Sequence, residues 1–147
     1  MSNTVIDNIT RRAQQAHACV LLPEASDPRV LQATEKIIAA SYANIILLGD
    51  PEGITAQAAE IGANIEGAQI VNPLTDESRE KYIDTLHEKR KTKGMSRDDA
   101  NALLKEVVYY GGMMVADGLG DGMVCGSICP TAETVRSALY SVGLAEG

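Results

Sequence analysis

Ala18-Cys19-Val20-Leu21-Leu22-Pro23-Glu24-Ala25-Ser26-Asp27-Pro28-Arg29-Val30-Leu31 is the stretch that decides the fold. Its opening residues are small or apolar and end at a proline, as a short buried strand does. Asp27-Pro28 then reads as a helix start. The aspartate caps free backbone N–H groups, and proline, which has no N–H to leave unpaired, suits the first turn. Val30, Leu31, Thr34, Ile37 and Ile38 follow at the spacing of one buried helix face. The unit recurs at once. Asn44-Ile45-Ile46-Leu47-Leu48 is a second strand ended by Gly49, and Asp50-Pro51 opens a helix to about Ile61.

Working outward, residues 4–16 predict a helix ahead of the first strand. Gln69-Ile70-Val71 predicts a third strand, closed by Asn72-Pro73. A helix from about Asp76 to Lys91 is stopped by Gly94. Ser96, with Asp99 three residues on, caps the next helix. There Ala100, Leu103, Leu104, Val107, Val108 and Val115 form one stripe, and Gly111-Gly112 mark either a kink or a close helix contact. Gly118 to Gly122 turn the chain into a fourth strand, Met123-Val124-Cys125. A last helix runs from about Pro130 to Val142, with Ala132, Val135, Leu139 and Val142 as its buried stripe and Gly143 as its end. Strands alternating with helices predict an α/β fold: one domain over 1–147, a three-layer, mostly parallel sheet with helices on both faces and right-handed crossings. Ligands bind at the carboxyl ends of such strands, so loops 23–27, 49–50, 72–75 and 126–130 are the candidates.

The composition is that of a globular protein, with 45% apolar and 22% charged residues in 147. No apolar run is long enough for a membrane helix, and Met1 to Asp7 lack the order of a secretion signal, so the chain reads as cytoplasmic. A net charge of −7, with neither Phe nor Trp, argues against nucleic acid or an anionic membrane as partner. Cys19, Cys125 and Cys129 are odd in number and lack metal or redox spacing, so they read as small buried apolar residues, with no metal site.

Gly126-Ser127-Ile128-Cys129-Pro130-Thr131 joins a strand to a helix, where free N–H groups and the helix dipole favour an anion. Gly126 permits close approach and Thr131 adds a hydroxyl. Glu133 in the first turn already answers the dipole, unless a cation lies close by. Arg136 is such a cation. It reaches either along the loop or back to Glu133. Arg90 stands out within the basic segment from His87 to Lys93, because it continues the apolar stripe of Ile83 and Leu86. An arginine on the packed side requires a carboxylate or a ligand. Gly118-x-Gly120-x-Gly122 precedes a strand, so it fails as a dinucleotide fingerprint, and Asp117 and Asp121 lack metal spacing.

These residues carry a resemblance. Leu22 to Ala33, Asn44 to Asp50, Lys89-Arg90-Lys91-Thr92-Lys93-Gly94-Met95, Tyr109 to Val115, Asp121 to Gly126 and Thr134-Val135-Arg136 occur in the order and spacing of the N-terminal domain of the phosphate acetyltransferase (phosphotransacetylase) family. The resemblance implies an acyltransferase that moves an acetyl group between coenzyme A and inorganic phosphate, giving acetyl phosphate. It implies a two-domain homodimer with the site in the interdomain cleft, coenzyme A as substrate and no permanently bound cofactor or metal. Arg90, Arg136, Gly126, Ser127 and Thr131 become the expected substrate-binding residues, with no catalytic residue in this chain. Two departures stand out. Cys129-Pro130 replaces a histidine and a hydroxyl residue of the family's loop, and Ser137 replaces the proline after the family's arginine. The family's catalytic cluster falls beyond Gly147, so the chain is expected to be inactive alone, as an excised piece or a natural truncation. A phosphate butyryltransferase and a non-catalytic sensor of acyl-CoA or acyl phosphate remain the alternatives.

Overall fold

Strands β1 (Cys19–Leu22), β2 (Asn44–Leu48), β3 (Gln69–Val71) and β4 (Gly122–Met123) form one parallel sheet in the order β3-β2-β1-β4. This is a computed structural model, and it describes residues 4–144. The chain end at Gly147 and the first residues of the expected signal-free start lie outside that range. Helices α1 (Thr4–Ala16), α2 (Pro28–Ala39), α3 (Pro51–Ile61), α4 (Arg79–Arg90), α5 (Arg97–Leu103), α6 (Val107–Ala116) and α7 (Thr131–Ser141) alternate with or follow the strands.

Side-chain alternation along each strand divides the interior into two cores. Leu22, Ile45 and Leu47 face α2 and α3, where they pack with Leu31, Ile54 and Ala58. Leu21, Ile46 and Leu48 face the opposite side, with Tyr82, Leu86, Leu104, Tyr110 and Met113. Helices thus cover both faces, as expected.

The caps also form as expected. Asp27 accepts the Arg29 N–H, Asp50 accepts the Gly53 N–H, and Ser96 with Asp99 makes a reciprocal capping box.

Several expectations need correction. The helix expected from Asp76 begins at Arg79, because the Asp76 carboxylate accepts the Tyr110 hydroxyl (2.5 Å) instead of capping. The single helix expected after Ser96 is two. Arg79 causes the break: its guanidinium donates to the carbonyls of Pro73, Asn101 and Leu104 and to the Asn101 side chain. Those donations draw α5's last carbonyls out of the helical ladder, and α6 restarts after an extended Glu106. Gly111 and Gly112 are close contacts and not a kink: a side chain at Gly111 would meet Met123 and Leu48 of the sheet, and one at Gly112 would meet Ser141 of α7. Strand β4 stops at Met123: Val124 still donates its N–H to the Leu21 carbonyl (3.0 Å), but its side chain is 64% exposed and Cys125 lies beyond the strand.

Helix α7 lies the other way round from the expected stripe. Val135, Leu139 and Val142 are exposed, and Ser137 and Ser141 are buried. The cause is Gly112. A side chain there would overlap the Ser141 hydroxyl, so α6 and α7 meet through their smallest residues and α7's larger apolar groups point outward. The three cysteines are free and half-buried, more open than expected.

Candidate functional site

Strand β1 lies at the centre of the sheet. The chain moves from it to β2 and β3 on one side and returns to β4 on the other. The crevice beyond the carboxyl ends of β1 and β4 is therefore the point where the direction of winding reverses, the usual ligand position in such sheets. Loops 23–27 and 126–130 meet there, while loops 49–50 and 72–75 follow β2 and β3.

A carboxylate ties the two meeting loops together. Glu24, only 5% exposed, accepts the N–H groups of Gly126 and Ser127 on one oxygen (both 2.8 Å). Its other oxygen accepts those of Ile128 (2.7 Å) and Cys129 (2.5 Å). The positive φ of Gly126, 111°, turns the loop so that successive amides point inward. Burial alone would raise the Glu24 carboxyl, but the four amide donors outweigh it, and it lies below the ordinary glutamate range.

Beside it, the Ser127 hydroxyl donates to Asp27, and Arg29 forks onto the same carboxylate (2.6 Å) while reaching the Ser127 hydroxyl (3.0 Å). Hydrogen bonds from Arg29 and then Ser127 hold Asp27 well below the usual carboxylate range.

This corrects the reading of the loop as an open anion cradle. The amides of Gly126 and Ser127 are already occupied by the protein's own carboxylate. Thr131 is exposed at the first turn of α7, and Pro130 supplies no side-chain cap. A cavity of about 430 Å³ opens next to the clasp, bounded by Glu24, Val107, Tyr109, Ile128, Pro130 and Glu133.

Arg136 and Arg90 approach one stripe of α7. Arg136 donates to Glu133 (2.5 Å), the partner the sequence offered it, and remains half exposed. The Tyr109 hydroxyl donates to the other Glu133 oxygen (2.5 Å). Burial, reinforced by that carboxylate, pushes the Tyr109 hydroxyl up to about 12.

Arg90 continues the buried positions Ile83 and Leu86, as its spacing predicts. No carboxylate among the described residues holds it. Carboxylates that could have served it are engaged elsewhere: Glu24 with the loop, Asp27 with Arg29, and Asp121 with the Cys19 N–H (2.7 Å). Instead the Arg90 guanidinium lies 3.9 Å above the Tyr140 ring, and its Nε is buried without a partner.

The basic segment around Arg90 is less free than a solvated helix end. Lys89 donates to the Ser141 carbonyl (2.5 Å) and Lys91 pairs with Glu88. Sequence reasoning missed Glu24, Tyr140 and Arg79. Nothing local marks them, because each acts on a segment distant in the chain.

Asp117, considered and rejected as a metal ligand, accepts from Lys81 and Tyr82. No group of three or more His, Cys, Asp or Glu among the described residues is arranged to hold a metal ion. No helix among them is long and apolar enough to cross a membrane.

Known proteins share this fold and much of this sequence. The chain is 37% identical to a phosphate acetyltransferase of Corynebacterium glutamicum over 97% of its own length and 44% of the relative's. It is 38% identical to one of Acetivibrio thermocellus over 97% and 42%. A phosphotransacetylase from Streptococcus pyogenes superposes with a TM-score of 0.87 at 31% identity, covering 95% of this chain and 43% of that one. The EutD phosphotransacetylase from Staphylococcus aureus does so at 0.85 and 30%, covering 97% and 44%. The chain thus spans less than half the length of these relatives. The sequence pattern described as Phosphate acetyl/butaryl transferase matches residues 4–147. With every described residue inside that pattern, and the fold superposing over nearly the whole chain, the chain belongs to the phosphate acetyl/butaryl transferase family.

Proposed function

We propose that the chain is the N-terminal part of a phosphate acetyltransferase, which exchanges an acetyl group between coenzyme A and inorganic phosphate to give acetyl phosphate. The match over residues 4–147 carries this reading. In the reaction, phosphate attacks the thioester carbonyl and coenzyme A leaves as thiolate; in reverse, a base produces that thiolate. Both substrates are anionic, so catalysis needs cations that hold them in line. We assign that role to Arg90, which no carboxylate among the described residues holds, and to Arg136, half exposed and paired with Glu133 of the cavity wall. Gly126 and Ser127 shape the crevice through Glu24, and Thr131, exposed at the start of α7, is assigned a ligand contact.

The reacting base and the remaining anion ligands are assigned to a second domain, since more than half of each relative's length lies outside the matched stretch. Residues 1–147 then form one α/β domain. Exposed apolar residues on α7 and on α1 (Val5, Ile6, Ile9) support further contacts, an interdomain face and a homodimer among them. The acidic net charge supports small soluble metabolites, and neither nucleic acid nor an anionic membrane, as partners, and a cytoplasmic location belongs to the same reading. The self-occupied loop and the Arg136–Glu133 pair favour one other reading, a non-catalytic sensor of acyl-CoA or acyl phosphate.

The test is a chimaera in which this chain replaces the matching stretch of the Corynebacterium relative. Acetyl phosphate should form from acetyl-CoA and phosphate, and Arg90→Ala or Arg136→Ala should abolish it while the fold persists. A folded chimaera that binds coenzyme A without turnover would favour the sensor.

A further inference from the structure

Two successive residues of α4 grip two successive residues of α7. Lys89 donates to the carbonyl of Ser141, and Arg90 lies flat on the ring of Tyr140. The Tyr140 ring lies 6.1 Å from that of Tyr109, whose hydroxyl holds Glu133, which in turn holds Arg136. Glu133, Arg136 and Tyr140 share one face of α7 at spacings of three and four, so Arg90 and Arg136 reach the same face about one turn apart. The two arginines are thus linked through a continuous line of side chains from three helices.

An arginine fixed by a carboxylate is partly neutralised, and its N–H groups are occupied. An arginine fixed by an aromatic face keeps its charge and its terminal donors. At Arg90 the Nε is buried without a partner, the residue as a whole is half-buried, and no carboxylate, hydroxyl or carbonyl among the described residues takes up its terminal nitrogens. Lys93 follows in the next turn and adds positive charge nearby, while Lys91 is paired with Glu88.

We propose that Tyr140 is a positioning residue: its ring holds the Arg90 guanidinium in the orientation that receives an anionic substrate group. The inference rests on the reading of Arg90 as an anion ligand and adds the group that orients it. The ring face does the work, so the Tyr140 hydroxyl is dispensable.

The experiment follows the Arg90 Nε–H resonance of the 147-residue chain by nitrogen NMR, with coenzyme A and inorganic phosphate as separate probes. In the free protein the signal should be displaced by the ring and slow to exchange. Tyr140→Phe should preserve that displacement and the affinity for both probes. Tyr140→Leu should return the signal to the range of a free arginine and weaken binding about three- to tenfold, the effect of immobilising one long side chain only on binding. A folded Tyr140→Leu chain that binds both probes as the parent does overturns the proposal and leaves the anion-binding reading intact. A chimaera with the Corynebacterium relative that binds both probes equally well with and without Arg90→Ala overturns both. Should Tyr140→Leu fail to fold, Tyr140→Met, which fills the site without a ring face, takes its place under the same outcomes.

Discussion

Gly112 of α6 and Ser141 of α7 meet so closely that a methyl group on the glycine would overlap the serine hydroxyl. The Ser141 Cβ, 3.1 Å from that position, and the Ser137 carbonyl oxygen, 3.5 Å away, leave little room for adjustment. This contact seats α7, and with it Arg136, Tyr140 and the loop before the helix. Gly112→Ala is therefore expected to cost about 1–3 kcal/mol by overpacking, measured by urea unfolding. Adding Ser141→Ala should recover part of the loss. A Gly112→Ala chain as stable as its parent would show that α7 is seated by other contacts.

Glu24→Ala removes the acceptor of four amide hydrogen bonds. The loop is largely exposed, so water replaces part of what is lost, and we expect about 1.5–3 kcal/mol, the range for bonds to a charged group. Glu24→Gln should recover little, because the amide turns a donor toward donors. Faster hydrogen exchange at residues 126–129 should accompany either change. Unaltered exchange there would mean that the loop holds its shape without Glu24.

Acid should open the same clasp. Glu24 and Asp27 are both held below their ordinary values of 4.5 and 3.8, so the folded state binds fewer protons than the unfolded chain as the pH falls. Their contribution to stability is complete above the unfolded values and is lost as pH falls through the folded ones, beginning at about pH 5. Arg29, the cation against Asp27, stays charged throughout. Stability measured from neutral pH downward should drop over that range, and less steeply in Glu24→Gln. An equal slope in the variant would remove Glu24 from the acid response.

Base should act through three tyrosines. Burial, reinforced by carboxylates at Asp117, Glu133 and Asp76, raises the hydroxyls of Tyr82, Tyr109 and Tyr110, the second to about 12. A raised folded value gives stability that is complete below the unfolded value near 10 and is lost as pH rises through the folded one. At about pH 11, ultraviolet titration should find at least these three of the five tyrosines still protonated in the folded protein. Ionisation of all five together, without unfolding, would contradict the burial of these hydroxyls.

Local signals made the fold readable. Asp27-Pro28, Asp50-Pro51 and Ser96 with Asp99 act within one helical turn, and each forms the cap that its sequence implies. What escaped the sequence depends on partners far along the chain. Arg79 splits a continuous apolar stripe by taking carbonyls some 25 residues away, and Gly112 turns α7 so that its apolar stripe faces out. At the site, the position of Arg90 on a packed stripe was readable, while its partner Tyr140 was not. The amide donors of 126–129 were readable as an anion site, but their occupant, Glu24, lies 102 positions before Gly126.

That separation also bears on the order of folding. Strands β1, β2 and β3 pair in succession, each joined to the next through one intervening helix, so this half of the sheet can form while synthesis continues. The crevice cannot. Its two walls come together only when β4 docks on β1 and Glu24 meets amides that leave the ribosome about 100 residues after it. Closing so long a loop is slow and carries little local reward, which makes the site the last part of this chain to acquire its shape and the first to lose it.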